Sequence, residues 1–273
     1  MLVGELFSGA GGPIEGWKNA GFSIEWCYEP EGPPRRIQRY NSYTQCKSTV
    51  PIYRKPVDLL VAYCGSSEKR LGVAIDFILT EAPPCFVLET QDGGVLDIPN
   101  TYDTLSLRLN SSRFYVPHAR IRTYTFGILV TRNPGGRAAL ECVAQEMMGE
   151  CRDEPLALDT VIQGLEKNIC MPALSRSDRV VHSPLRPIPE VHGRAGRSCS
   201  TLVPHESDAG PLVSAIPIHI DDIQRICGVN HLKRPANMDR VLWFKWVGNC
   251  LDPALSRLIG SACMKLLCAG AGP

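Results

Sequence analysis

Apolar positions along this chain follow two rhythms. Short, mainly apolar runs at Leu2–Phe7, Val57–Ala62 and Cys85–Glu89 are each bounded by Gly, Pro or charge. Runs of that length without polar alternation read as strands buried on both faces, the habit of parallel sheets. Residues 23–29 (SIEWCYE), Thr123–Val130 and Arg113–Val116 are further candidate strands. Helical spacing recurs at Ile14–Ala20, Leu71–Thr80 and Pro253–Leu267, where Leu255, Leu258, Ile259, Ala262 and Leu266 share one face. Strands alternating with helices predict an α/β fold on a parallel sheet.

From Arg132 to Ser214 the pattern gives way to Pro, Gly, Ser and Arg, with one helix predicted near Ala138–Met148. The expected division is a main domain over 1–131, a small irregular domain over 132–214, and a segment over 215–273 that returns to the main domain.

Composition narrows the class. Hydrophobic residues at 44% and charged residues at 21% describe an ordinary globular chain. No stretch of 18 uncharged apolar residues predicts a membrane span, and the N-terminus lacks the basic-then-apolar pattern of a signal peptide. The 12 cysteines include no Cys-x-x-Cys spacing. That argues against a zinc ribbon or a disulfide scaffold, so free thiols in a reducing, intracellular compartment and no metal are expected.

The net charge of +1 hides local bias. Positions 32–56 carry Arg35, Arg36, Arg39, Lys47, Arg54 and Lys55 without an acid, interleaved with Tyr40, Tyr43 and Tyr53. Residues 176–200 carry Arg176, Arg179, Arg186, Arg194 and Arg197 against Asp178 and Glu190. Such stretches suit a nucleic-acid backbone. They equally suit a solvated helix face.

The most specific string is Leu6-Phe7-Ser8-Gly9-Ala10-Gly11-Gly12, between the first predicted strand and the first predicted helix. A strand–glycine turn–helix junction lets backbone N–H groups approach a ligand closely. Glu29, closing the second strand, is placed to accept both hydroxyls of a ribose.

LFSGAGG resembles the first motif of the C5-cytosine DNA methyltransferases, and the resemblance runs along most of the chain. Glu29 falls at that family's ribose-binding acid. Val57–Cys64 is similar to the strand that delivers the catalytic cysteine, and Phe86-Val87-Leu88-Glu89 to the strand ending in the catalytic glutamate. Val116-Pro117-His118-Ala119-Arg120-Ile121-Arg122 resembles the Pro-Gln-x-Arg-x-Arg motif. Residues 218–229 resemble the short helix after the recognition domain, and Val247-Gly248-Asn249-Cys250 the closing Gly-Asn-Ser motif.

The resemblance implies a Rossmann-like S-adenosylmethionine-dependent methyltransferase sheet, with 132–214 as a target-recognition-type domain. It implies Phe7, Gly9, Gly11, Glu29 and Asn249 around S-adenosylmethionine, and Cys64, Glu89, Arg120 and Arg122 as catalytic. In that chemistry a cysteine thiolate adds to C6 of a cytosine flipped out of double-stranded DNA, and a glutamic acid holds the N3 edge. DNA is the implied partner and the nucleus the implied location in a eukaryote. An RNA cytosine methyltransferase and a silent cofactor-binding relative that regulates an active enzyme are the alternatives. The Cys-Phe-Thr signature of the tRNA-directed branch is absent.

Two cysteines compete for the nucleophile. Pro83-Pro84-Cys85 copies the Pro-Pro-Cys that normally precedes it, but Cys85 begins its predicted strand. Ligands in open parallel sheets bind beyond the carboxyl ends of strands, where Cys64 and Glu89 fall, so Cys64 is the candidate. Departures surround it. The usual Pro-Pro-Cys-Gln is here Ala62-Tyr63-Cys64-Gly65, Glu-Asn-Val is Glu89-Thr90-Gln91, and His118 replaces a glutamine. Only Gly65–Arg70 separates Cys64 from the next predicted helix, where the family has a longer mobile loop.

Overall fold

The computed structural model describes residues 1–43, 46–47, 55–91, 98, 100–133, 135–156, 169–172, 179–182, 188–189, 201–204, 216–217 and 224–270. Contacts divide it into two units. The first comprises Met1–Leu109, Ile121–Cys151 and Pro253–Pro273, the second Asn110–Arg120 and Arg152–Asp252.

Unit 1 is built on a seven-stranded sheet. Its strands are β1 (Leu2–Leu6), β2 (Ser23–Tyr28), β3 (Cys46–Lys47), β4 (Leu59–Gly65), β5 (Cys85–Thr90), β6 (Tyr102–Asn110) and, after β7 (His118–Ala119) of unit 2, β8 (Ile121–Leu129). They lie in the order β3-β2-β1-β4-β5-β8-β6. The first five are parallel, and β8 runs antiparallel to β5. The three apolar runs are thus the centre of the sheet, and β5 is buried along its whole length. After β1 the chain moves outward to β2 and β3, then returns to lay β4 on the other side of β1. That reversal makes β1 and β4 the topological switch point, the place where ligands commonly bind in open α/β sheets.

Unit 1 also contains helices α1 (Ile14–Asn19), α2 (Gly32–Tyr40), α3 (Glu68–Glu81), α4 (Gly136–Gly149) and, following α5 (Arg240–Gly248) of unit 2, α6 (Pro253–Gly270). Helix α6 packs against α1 and α4. Gly16 is required at the first of these crossings, because a Cβ there would stand 2.0 Å from Ser256 Oγ. One face of the sheet packs Leu60, Ala62, Phe86 and Leu88 with Ala74, Phe77 and Ile78 of α3.

The observed division departs from the expected boundaries at 132 and 214. Helix α4, predicted inside the small domain, belongs to unit 1 and ion-pairs Glu146 with Lys265 of α6. Residues 110–120 and 215–252 belong instead to unit 2. The segment predicted as a strand, Arg113–Val116, is not one: a 3-10 turn over Ser111–Arg113, with Asn110 Oδ1 accepting from Ser112 N at 3.2 Å, runs into a further turn.

Unit 2 holds β7 paired in parallel with β11 (Ile188–Pro189). It also holds a sheet of β9 (Ile169–Pro172), β10 (Arg179–His182), β12 (Thr201–Pro204) and β13 (Ile216–Pro217), in the order β10-β9-β12-β13. Most of 157–223, including the basic stretch at 176–200 apart from its strands, lies outside the described residues. Among the described residues, no helix is long and apolar enough to cross a membrane.

Candidate functional site at the sheet switch point

The glycine turn after β1 is held in an uncommon backbone form. Phe7 has φ 60°, and Gly9 and Gly11 have φ 58° and 87°. A bulky residue in the left-handed region is costly and persists only where its surroundings enforce it. Here Phe7 N donates to Tyr28 O at 2.7 Å, tying the turn to the end of β2. Gln38 on α2 braces the other side, donating from Nε2 to Ser8 Oγ at 2.8 Å and to Gly9 O at 2.6 Å.

Glu29 is buried beside this turn and accepts Gly9 N on one carboxylate oxygen and Glu31 N on the other, both at 2.9 Å. Burial pushes its pKa up, and the two backbone N–H groups work against that shift. Each oxygen retains capacity for a further donor. A Cβ on Gly9 would meet nothing within 4 Å, so open space adjoins the carboxylate-bound turn.

Cys64 stands at the neighbouring strand end. In the β4–β5 ladder Tyr63 faces Glu89 and Gly65 faces Thr90, leaving Cys64 as the extra residue of an irregularity. Such bulges re-aim side chains at strand ends. Gly65 takes φ 58° immediately after it, and its carbonyl accepts Gln91 N at 2.9 Å. The thiol is 2% exposed and packs in the same apolar cluster as Leu6 and Phe7. Burial, followed by the nearby Glu89 carboxylate, pushes its pKa up to about 12, while Arg70 acts in the opposite direction. Cys85 lies at the other end of β5, opposite Leu59, and is fully buried.

Glu89 is 2% exposed and pairs with Arg122 of β8, Nε to Oε1, at 3.5 Å. The same guanidinium donates from Nη1 to Ile121 O at 2.7 Å. Unit 1 therefore brings Phe7, Gly9, Gly11, Glu29, Cys64, Glu89 and Arg122 to one sheet edge. Arg120 and Asn249 belong to unit 2. Arg120 is buried there, its carbonyl accepting Ser111 N at 3.0 Å. Asn249 is exposed just after α5, and its Nδ2 donates to Lys245 O at 2.8 Å.

Several residues around the site had no counterpart in the sequence reading. Glu5, in the middle of apolar β1, is fully buried. Its Oε1 accepts Trp17 Nε1 at 2.8 Å and Tyr63 OH at 3.1 Å, and its Oε2 accepts Cys27 Sγ at 3.3 Å. An acid interrupting an otherwise apolar strand was the available signal. Of the basic stretch at 32–56, Arg36, Arg39 and Tyr40 are exposed on α2, whereas Tyr43 is buried with its hydroxyl donating to Glu15 at 3.0 Å. Arg54 and Tyr53 lie outside the described residues.

No protein-family model matches the sequence, and no curated protein matches it significantly. Solved structures do match. A DNA modification methyltransferase encoded within an E. coli prophage superposes with TM-score 0.67 at 14% identity, over 98% of this chain and 99% of that one. The chain has a methyltransferase fold. The S. pombe Dnmt2 methyltransferase gives TM-score 0.66 at 13% identity, over 98% of both chains. The Entamoeba histolytica methyltransferase EhMeth gives 0.62 at 11%, over 98% of this chain and 97% of that one. On this fold, the unusual backbone of Phe7–Gly11 stands at the switch point between β1 and β4.

Proposed function

We propose that the protein is a DNA (cytosine-5-)-methyltransferase using S-adenosylmethionine, with Cys64 as covalent nucleophile. The observation that carries this reading is the meeting, at one sheet edge, of the glycine turn, the Glu29 carboxylate, Cys64 and the buried Glu89–Arg122 pair.

The chain's residues fit the cofactor. A ligand can approach the backbone at Gly9, where a Cβ would meet nothing within 4 Å, Glu29 has capacity for ribose hydroxyls, and Phe7 brings an aromatic ring. When bound, S-adenosylmethionine supplies a methyl group activated on a sulfonium. Cys64 Sγ, once deprotonated, forms the bond to C6 of the target cytosine, and Glu89 holds a proton at N3 as negative charge develops on the ring. Arg122 fixes the orientation of Glu89. Arg120 and Asn249, both in unit 2, keep the base-binding and cofactor-binding roles that their motifs imply, and unit 2 supplies target recognition. A reducing intracellular compartment, nuclear in a eukaryote, suits a chain whose cysteines show no Cys-x-x-Cys spacing.

A second reading, a silent relative that binds cofactor and regulates an active enzyme, draws support from the buried Cys64 thiol and its raised pKa. Incubation with labelled S-adenosylmethionine and duplex DNA containing 5-fluorocytosine tests both. A covalent, labelled adduct on Cys64 is expected. Cofactor binding without an adduct would favour the silent relative, and an adduct formed only with 5-fluorocytosine RNA would move the substrate to RNA.

A further inference from the structure

Helix α2 turns its charge outward. It buries Pro34, Ile37 and Gln38, and Gln38 is bonded to Ser8 and Gly9, so the helix is fixed in rotation against the glycine turn. Pro33 and Pro34 stiffen its first turn. Arg36, Arg39 and Tyr40 are all exposed, Tyr40 at 53%. At the spacing i, i+3, i+4 they are neighbours on one face of the helix.

A solvated helix face ordinarily finds its counter-charges nearby. Helix α2 itself contains no acid, and the acids that precede it are engaged elsewhere. Glu15 pairs with Lys18, Glu25 with Lys55 and Glu31 with Arg70, while Glu29 accepts two backbone N–H groups. Among the described residues, no ion pair engages Arg36 or Arg39. The helix dipole accounts for a cation in the last turn, where Arg39 lies, but not for Arg36 in the middle.

We propose that this face of α2 is a contact for the DNA backbone, with Arg36 and Arg39 neutralising phosphates of one strand and the Tyr40 phenol donating to the same backbone. The inference rests on DNA being the substrate, as proposed above, and gives unit 1 a contact that is indifferent to sequence. Guanidinium and phenol groups are common phosphate ligands, and such contacts position a duplex without reading it. A protein surface fits less well, because Tyr40 is the one large exposed apolar side chain of α2 and no apolar centre surrounds it.

The test is fluorescence anisotropy of a labelled DNA duplex titrated with the full chain at several salt concentrations. Each phosphate neutralised contributes about 0.9 to the slope of log affinity against log salt. The double variant Arg36→Gln/Arg39→Gln should therefore flatten that slope by about 2 and weaken low-salt binding about tenfold. Arg36→Lys/Arg39→Lys should keep the wild-type slope, since counterion release follows charge rather than the guanidinium fork. Tyr40→Ala should weaken binding about threefold at an unchanged slope, the effect of losing an uncharged hydrogen-bond donor. S-adenosylhomocysteine affinity should stay within about twofold in all three, which reports an intact glycine turn. As a control, Arg137→Gln/Lys265→Gln removes two exposed cations from α4 and α6 and should leave the slope unchanged. An unaltered slope in Arg36→Gln/Arg39→Gln, an equal flattening in the control, or a wild-type chain that binds no DNA overturns the proposal. So does a flattening seen with an RNA duplex and not with DNA. The 5-fluorocytosine adduct is read separately: an adduct with an unaltered slope removes this surface alone, and a flattened slope without an adduct counts against the methyltransferase reading alone.

Discussion

Tyr63 donates its phenol to Glu5 Oε1 at 3.1 Å, placing a buried carboxyl beneath the residue that precedes Cys64. Trp17 Nε1 lies within hydrogen-bonding distance of both, 2.8 Å from Glu5 Oε1 and 3.1 Å from the Tyr63 oxygen. Where the methyltransferase motif has proline, this chain thus holds the strand end through a side-chain triangle spanning β1, α1 and β4.

Glu5 makes stability depend on pH. Burial raises its pKa from 4.5 to about 7, against the opposing bonds from Cys27, Trp17 and Tyr63. Below the unfolded value both states are protonated, and the preference of the folded state for the neutral acid is fully available. As pH rises from about 4.5 to about 7, the unfolded chain ionises first and that preference is lost. Denaturant titrations should show this group's contribution falling by on the order of 3 kcal/mol across the window. In Glu5→Gln the fall should disappear; an equally steep fall in that variant would assign the dependence elsewhere.

Cofactor affinity should depend on the turn more than on the chemistry around it. Glu29→Ala removes the acceptor and also orphans Gly9 N and Glu31 N. Calorimetry with S-adenosylhomocysteine should show affinity reduced by about tenfold to a hundredfold, the scale of losing a hydrogen bond to a charged group. Gly9→Ala puts a methyl into the open space at φ 58° and should weaken binding as well, at a stability cost of only about 1 kcal/mol. Unaltered affinity in both would overturn nucleoside binding at this turn.

Arg122 should matter to turnover and to the fold but little to cofactor binding. Arg122→Ala takes the cation from a pair whose side chains are 8% and 2% exposed. Breaking such a pair typically costs about 3–5 kcal/mol. In the fraction that remains folded, methyl transfer should drop at least about tenfold, while S-adenosylhomocysteine affinity stays within about twofold. Loss of cofactor affinity with turnover preserved would reverse the assignment.

The parts of this structure visible in the sequence are those whose signal is local. Strands β1, β4 and β5 announce themselves because both faces are buried and no polar alternation interrupts them, Glu5 excepted. Helix α2 was hidden by Gly32-Pro33-Pro34 and its arginines, since it buries only Pro34, Ile37 and Gln38. Strand β6 was missed for the complementary reason: as an edge strand it is largely unburied and reads as polar. Helix α4 was visible, but its unit was not, because its partner α6 begins more than a hundred residues later and no local pattern links them. At the site, Gly9, Gly11, Glu29, Cys64 and Glu89 were legible as residues closing strands. Gln38 and Tyr63 were not, because each acts on a neighbour brought near only by the order of the strands.

The same strand order separates the two competing cysteines. Cys64 and Cys85 are both buried, at 2% and 0% exposure, so burial alone does not choose between them. Position does: Cys64 lies beside Glu89 at the carboxyl edge, whereas Cys85 opposes Leu59 at the start of the strands and contacts Cys263 of α6. A serine hydroxyl is close in size to a thiol but essentially un-ionised at neutral pH, so Cys64→Ser should abolish methyl transfer and the 5-fluorocytosine adduct while S-adenosylhomocysteine affinity stays within about twofold. Cys85→Ser should leave transfer in place and cost about 1–3 kcal/mol, the scale of burying a hydroxyl in an apolar setting. Chemical denaturation and product mass measured on both variants separate the two roles. Full transfer by Cys64→Ser, or its loss in a folded Cys85→Ser, would require a nucleophile other than Cys64.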